Sequence, residues 1–366
     1  MLQIYSLNTI IMLRYLLIPF LCVALCSCTS EDTTPVEQPV TENWYYPPNN
    51  SSEWTTTSIE EAGWNSAKLA DLLAFLEDKN TKSFIILKNG NIVVEHYFDD
   101  FDESSIWYWA SAGKTLTSTV TGIAQDEGYL TIETPVNNYL GNWTSLPQEK
   151  ENLIQCKHLL TMTSGIDDSL GDDVSPENLH YLSDAGSRWA YHNVYVKTQD
   201  VVANATNQSW NTYFNQKLRN PIGMTGAWTN LNNLNVYWSN TRSMARFGLL
   251  IAANGNWNGT QIISESYLNE ATNTSQNIND AYGYLWWLNG KNSYHLPQSQ
   301  LEYSGSLIPE APSDMFAALG KNDQKIYIVP SEKLVIIRMG ESADGDNFAL
   351  SDFDNLLWEK INAFME

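Results

Sequence analysis

The sequence predicts a mixed α/β (α+β) fold: an antiparallel sheet built from both chain ends, flanked by helices, with a mostly helical inserted subdomain. Three observations carry this. Apolar, strand-like runs occur at residues 84–94 and again at 325–337, and helical periodicity adjoins each of them. Between them, residues from about 135 to 240 offer short helical pieces and no convincing strand. Neither βαβ alternation nor an internal repeat competes with that pattern.

In chain order, Asn65-Ser66 open a helix whose Leu69, Leu72, Leu73 and Leu76 recur at helical spacing. Phe84-Ile85-Ile86-Leu87 and Ile92-Val93-Val94 flank Lys88-Asn89-Gly90-Asn91, and the Asn-Gly pair suits the positive φ angles of a hairpin turn. A second helix is expected from Ser111 to Glu127, with Leu116, Val120 and Ile123 on one face and Gly128 as its stop. The 135–240 insertion is rich in Asn, Asp, Ser and Gly. Lys325 to Val329 reads as a strand ended by Pro330, and Leu334-Val335-Ile336-Ile337 as its partner. A terminal amphipathic helix carries Phe353, Leu356, Leu357, Trp358, Ile361 and Phe364.

Composition narrows the function. Across 366 residues, 20 Lys+Arg face 42 Asp+Glu, a net charge of −22 that argues against nucleic acid as a partner. At 43% hydrophobic and 12% aromatic residues the chain is not disordered throughout. The one long apolar stretch lies near the N-terminus, which excludes a polytopic membrane protein.

That stretch reads as a leader, residues 1–27. Arg14 precedes an apolar core from Tyr15 to Leu25, too short for a spanning helix, and Met12 offers a second start that gives a more compact leader. Leu25-Cys26-Ser27-Cys28 resembles a bacterial lipobox, in which Cys28 is lipidated and becomes the first residue. The simpler alternative is a secretory leader cut near Ser27. Residues 28–58, rich in Thr, Pro, Glu and Asn, are expected to be a flexible tether, and 59–366 the functional domain. The expectation is an exported bacterial lipoprotein held by its lipid on the periplasmic face of a membrane or at the cell surface. Of four cysteines, Cys22 and Cys26 leave with the leader and Cys28 takes the lipid, so Cys156 stands alone with a structural role.

Several chemistries drop out. Ala112-Gly113-Lys114-Thr115 imitates the end of a P-loop, but Tyr108 stands where its first Gly belongs. There is no G-x-S-x-G, no H-E-x-x-H and no paired Cys for zinc, so no metal or cofactor is implied. The five histidines are scattered, and none is assigned to catalysis.

What remains is Ser111-Ala112-Gly113-Lys114. Positions i and i+3 of a helix lie on nearly one face, about 4.5 Å apart along the axis, so the Lys amine reaches the Ser hydroxyl. A helix N-terminus also favours a developing oxyanion. Tyr191-His192-Asn193 follows in the insertion: a Tyr hydroxyl beside a Ser–Lys pair relays protons, and an Asn amide holds a substrate carbonyl.

S-x-x-K followed by Y-x-N about eighty residues later resembles the serine hydrolases related to class C β-lactamases. That family includes D-alanyl-D-alanine carboxypeptidases, esterases and 6-aminohexanoate-dimer hydrolases. Residues His158–Ile166 are similar to its HLLTMTSG signature and Asn220–Met224 to its PLGM. Met244-Ala245-Arg246-Phe247-Gly248 and Tyr282-Gly283-Tyr284-Leu285-Trp286-Trp287 also match. The resemblance, from about residue 65 to 365, implies a β-lactamase/transpeptidase-like fold. It implies Ser111 as nucleophile, Lys114 and Tyr191 as its proton partners, and Asn193 as a substrate contact. The family's third motif, K-T-G or H-x-G, corresponds best to Ala318-Leu319-Gly320. Gly320 is kept, but Ala318 replaces the basic residue that helps hold a substrate carboxylate in β-lactamases, which counts against β-lactams. Strand alternation turns the side chain of Lys321 to the other face.

The implied reaction is acyl transfer to a small ester or amide. A Ser hydroxyl needs a base, and lowering a Lys pKa from about 10.4 to 7 costs about 4–5 kcal/mol, which burial could supply. Alternatively Lys114 stays charged and stabilises a Tyr191 phenolate; the sequence leaves both open. By resemblance the oxyanion hole is the backbone N–H of Ser111 and of Lys321. Trp107, Trp109, Trp189, Trp286 and Trp287 could line a pocket, with one or two of them reaching substrate. A D-Ala-D-Ala peptidase or penicillin-interactive enzyme is the nearest alternative, and a non-catalytic binding lipoprotein that keeps the fold is the alternative of a different class.

Overall fold

The computed structural model describes residues 44–231, 234–345 and 349–366, so the leader, Cys28 and the first part of the expected tether lie outside the described residues. After a 3-10 turn capped by Asn65, whose side chain accepts from the Ala67 amide, helix α1 (Leu69–Asp78) buries Leu72 and Leu76. Strands β1 (Thr81–Lys88) and β2 (Asn91–Tyr97) form the expected hairpin, with Asn89 and Gly90 at φ 52° and 85°. Next come β3 (Trp107–Tyr108) and helix α2 (Lys114–Asp126). Farther on are β4 (Ala227–Leu231), β5 (Leu234–Ser239), β6 (Asn256–Trp257), β7 (Thr260–Gln261), β8 (Trp287–Leu288), β9 (Ser293–His295) and β10 (Glu302–Ser304). The chain closes with β11 (Phe316–Gly320), β12 (Gln324–Val329), β13 (Leu334–Gly340) and a terminal helix, Asp352–Met365.

Both chain ends build the main sheet. Its order is β2-β1-β13-β12-β11-β8, and β1 pairs antiparallel with β13 in the register Ile85↔Ile337 and Ile86↔Ile336. The strands read as apolar runs rather than alternations because both faces are covered. Ile326, Val335 and Ile337 meet the helix Thr241–Ala252, whose Gly248 approaches so closely that a Cβ there would lie 2.5 Å from Val335 Cγ1. On the opposite face Tyr327 packs edge-on against Trp358 at 5.6 Å, and Phe353 stacks on Phe75 at 5.9 Å. The terminal helix buries Phe353, Leu357, Trp358, Ile361 and Phe364, whereas Leu356 falls outside that stripe and is exposed.

Three expectations need correction. The 135–240 insertion is not free of strands: β4 and β5 pair with each other and with β3 in a three-stranded sheet. Asn-rich runs such as Ala-Trp-Thr-Asn-Leu hide their strand character, because Asn is depleted in strands for reasons that tertiary pairing overrides. Residues 44–58, placed in the tether by composition, lie on the domain. Tyr45 N–H donates to Asn89 O at 3.0 Å, Trp54 Nε1 to Gly90 O at 2.8 Å, and the buried Arg246 to Pro48 O at 2.7 Å. Trp54 and Tyr46 supply the apolar area that fixes the segment. Finally, α2 is buried all round from Lys114 to Ala124 instead of showing one apolar face. Two of its threonines are satisfied inside the helix, Thr119 Oγ1 donating to Thr115 O and Thr121 Oγ1 to Thr117 O, and Thr117 Oγ1 accepts from Gln199 Nε2 at 2.9 Å, so these polar residues tolerate full burial.

Candidate active site

Ser111 does not open an α-helix. It sits in a 3-10 turn, Ala110–Gly113, that leads into α2. In a 3-10 turn residues i and i+3 eclipse each other, which sets Lys114 directly over Ser111. Ala110, just before the nucleophile candidate, has φ 48°, a left-handed conformation that costs a non-glycine residue on the order of 1 kcal/mol. The surroundings enforce it: Trp109 N–H donates to Tyr237 O at 2.9 Å, and its buried indole donates to Ser239 Oγ at 2.7 Å.

Lys114 Nζ lies 3.1 Å from Ser111 Oγ and 3.3 Å from Asn193 Oδ1. The residue is only 2% exposed, and desolvation lowers its pKa to about 7, against an opposing pull from Asp172. The rings of Tyr195 and Tyr191 stand 4.1 Å and 4.9 Å from its nitrogen. Burial pushes the Tyr191 phenol up to about 12, and hydrogen bonds with the Ser111 and Trp287 side chains hold it down only in part.

The segment carrying Tyr191 and Asn193 is fixed by the signature that precedes it in sequence. Ala190 N–H donates to Met162 O at 2.8 Å, Gly186 N–H to Thr163 O at 2.8 Å, and Leu285 N–H to Leu160 O at 2.9 Å. Thus residues 158–166 dock the segment leading to Tyr191 on one side and the 282–287 segment on the other. Trp287 stacks on Tyr191 with ring centroids 5.7 Å apart.

The third element arrives from the sheet. A Cβ on Gly320 would lie 2.4 Å from Trp109 O and 2.9 Å from Ala112 N, so β11 ends against the Ser111 turn where only glycine fits. Beyond Gly320 the chain turns through Asn322 and Asp323 at φ 59° and 58°. Asn322 Nδ2 donates to Tyr108 Oη at 2.6 Å, and the buried Arg338 donates to Asp323 O at 2.9 Å. Lys325 pairs with Asp354 at 2.8 Å and Asp323 at 3.1 Å, so every charge buried beneath this turn is compensated. Because the strand stops at Gly320, the alternation that would turn Lys321 away does not extend to it: Lys321 is exposed and lines the cleft. Ala318 is buried within β11.

Ser111, Lys114, Tyr191, Asn193 and Lys321 therefore share one cleft of about 500 Å³, walled also by Tyr108, Tyr195, Leu234, Val236 and Pro297. None of the five tryptophans lines it; Trp109, Trp189, Trp286 and Trp287 are core, and Trp287 acts on the cleft only through Tyr191. A larger groove of about 680 Å³ around Asn254, Asn269 and Asn289 is lined by Lys291, Ser266, Thr272 and Ser313, but among the described residues no hydrogen bond joins the Lys291 amine to a hydroxyl, so size does not locate the chemistry. Cys156 is buried with its thiol pushed up to about 12, which removes it as a nucleophile. The residue the sequence did not reveal is Asp172, in a loop with no periodic signal. Its carboxylate accepts from Asn193 Nδ2 at 2.6 Å.

The β-lactamase family model matches residues 74–357, more than three quarters of the chain. The chain belongs to the β-lactamase family. Solved structures share its fold. A protein from Bacteroides dorei DSM 17855 assigned as a β-lactamase superposes with a TM-score of 0.65 at 16% identity, over 82% of this chain and 99% of that one. A Bacillus anthracis protein assigned as a 6-aminohexanoate-dimer hydrolase gives 0.66 at 18%, over 86% and 88%. A penicillin-binding protein homolog from Caulobacter crescentus gives 0.62 at 12%, over 81% and 97%.

Proposed function

We propose that the protein is a serine hydrolase that cleaves a small ester or amide through an acyl-enzyme on Ser111. The observation that carries this is the 3.1 Å contact between Ser111 Oγ and the desolvated amine of Lys114. With a pKa of about 7, Lys114 is about half neutral at pH 7, whereas a phenol at about 12 is ionised in only about one molecule in 10⁵. That difference favours Lys114 as the base. It takes the Ser111 proton as Oγ bonds to the carbonyl carbon, and the proton leaves with the departing alcohol or amine, relayed by Tyr191. Water then adds to the acyl-enzyme, releases the acid and restores the Ser111 hydroxyl. The backbone N–H groups of Ser111 and Lys321 are proposed as the oxyanion hole, a reading supported by the close approach of Gly320 to the Ser111 turn; one such donor is worth roughly 2.7–4 kcal/mol.

The walls supplied by Tyr108, Tyr195, Leu234 and Val236 suit an apolar acyl group, and Ala318 brings no cation to the strand. Lys321 at the cleft favours one second reading, a carboxylate-bearing amide of the D-Ala-D-Ala or penicillin type. Turnover of neutral p-nitrophenyl esters and of nitrocefin, by wild type and Ser111→Ala, separates the two. Ester turnover without nitrocefin turnover supports the first reading, and penicillin acylation of Ser111 supports the second. Loss of neither activity in the variant refutes both. We further propose that the enzyme is exported and anchored through a lipid on Cys28, on the strength of Leu25-Cys26-Ser27-Cys28 behind a short apolar leader.

A further inference from the structure

We propose that Asp172 is a positioning residue of this site, holding the Asn193 amide with its oxygen toward Lys114 and setting a negative charge beside the Lys114 amine. The inference rests on the hydrolase reading above and adds to it a residue that neither the S-x-x-K nor the Y-x-N motif contains.

Asn193 sits between Asp172 and Lys114. A side-chain amide has an oxygen that only accepts and a nitrogen that only donates, so its partners decide which way it faces. Asn193 Nδ2 donates to Asp172 Oδ1 at 2.6 Å, while Oδ1 accepts from Lys114 Nζ at 3.3 Å. A carboxylate can only accept, so Asp172 forces the nitrogen outward and leaves the oxygen for Lys114. Of the two amide hydrogens, one is committed to Asp172 and the other remains for a substrate carbonyl. The line Asp172–Asn193–Lys114–Ser111 is thus a continuous set of contacts from the exposed loop to the nucleophile.

The groups facing Lys114 come from every side of the cleft. Tyr191, His192 and Tyr195 come from the Tyr191–Val196 segment, Tyr108 from β3, Lys321 from the turn after β11, and Asp172 from its loop. Asp168 is engaged by Arg188 at 2.7 Å. His192 is buried and held below the ordinary histidine range, so it stays neutral where Lys114 titrates. Tyr191 and Tyr195 are pushed up by burial and also stay neutral there. Among the described residues, Asp172 is then the one carboxylate opposing the desolvation of Lys114, and it favours the ammonium form.

The test uses the full chain and the rate at which a fluorophosphonate modifies Ser111 between pH 5 and 10, for wild type, Asp172→Asn and Asp172→Ala. Asn at 172 still offers an oxygen to Asn193 but carries no charge; Ala removes both. The proposal expects the acid limb of the rate profile to move to lower pH in Asp172→Asn, with the plateau rate kept within about threefold. In Asp172→Ala the limb moves likewise and the plateau falls about tenfold, the loss of one charge-assisted hydrogen bond. Because Asp172 is exposed, 1 M salt should move the wild-type limb toward that of Asp172→Asn and leave the variant's limb in place. A role confined to loop structure would not produce that salt response. Labelling with the same limb in wild type and Asp172→Asn overturns the inference and leaves the hydrolase reading standing. Failure of wild type to label overturns the hydrolase reading and the inference with it.

Discussion

Replacing Lys114 by Met should make the protein more stable while removing its reactivity. Lys114 is 2% exposed and its pKa falls from 10.5 to about 7, chiefly by desolvation. At about 1.4 kcal/mol per pH unit, that change represents about 5 kcal/mol of destabilisation by the buried charge. The sign follows from proton counts. Below pH 7 both folded and unfolded chains carry the ammonium, and the cost is fully present. Between about 7 and 10.5 the unfolded chain binds more protons than the folded one, so stability rises with pH; above 10.5 the cost is gone. Met keeps the volume of the stem and loses hydrogen bonds to Ser111 and Asn193, each worth about 1 kcal/mol. The net gain at pH 6 is therefore about 3 kcal/mol, a rise in Tm on the order of 5 °C. Denaturant titrations of wild type and Lys114→Met at pH 6, 8 and 10 measure it. The margin in favour of the variant should be largest at pH 6, fall to about half at pH 8 and reverse to a deficit of about 1 kcal/mol at pH 10, where the cost of the charge is nearly gone and the two lost hydrogen bonds remain. A variant less stable than wild type at pH 6, or a margin that ignores pH, would refute the account of Lys114 as a desolvated amine.

Gly320→Ala should shift the end of β11 away from the Ser111 turn, since its Cβ would stand 2.4 Å from a backbone oxygen. About 1–3 kcal/mol of stability and about a hundredfold in Ser111 modification rate should be lost, and a wild-type rate would show that the strand end does not position the site. Tyr191→Phe keeps the ring against Trp287 and Lys114 but removes the hydroxyl. Ester hydrolysis should fall by about 10²–10⁴ with the pH limb near 7 retained, whereas loss of that limb would assign the base to Tyr191. Cys28→Ser should move the protein from the membrane fraction to the soluble one, and unchanged fractionation would refute lipid anchoring.

Much of the fold was legible because the two ends of the chain carry uninterrupted apolar runs, and short runs such as Phe84–Leu87 and Leu334–Ile337, rich in Ile and Val and bounded by Asn89-Gly90 and Pro330, read as strands covered on both faces. What stayed hidden did so for identifiable reasons. Strands β4 and β5 are written in Asn, Trp and Thr, and β11 is a short run of Phe, Ala and Leu, so neither period nor propensity marks them. The burial of α2 is masked by threonines that bond to their own helix. Within the site, Ser111 and Lys114 were readable because three residues of spacing put them on one helical face. Tyr191 and Asn193 were readable only as a motif. Asp172 was not readable at all: the contact that gives it meaning joins a loop carboxylate to a side chain across the cleft, and nothing in the neighbouring residues encodes that approach.

The central claim is that Ser111 is an activated nucleophile. Intact-protein mass spectrometry after exposure to a fluorophosphonate at pH 8, on folded wild type and folded Ser111→Ala of matching Tm, tests it most directly. The account predicts one adduct on wild type and none on the variant. An adduct retained by the variant would place the reactive group elsewhere, and a folded wild type that takes no adduct would turn the reading toward a binding protein that keeps the fold without the chemistry.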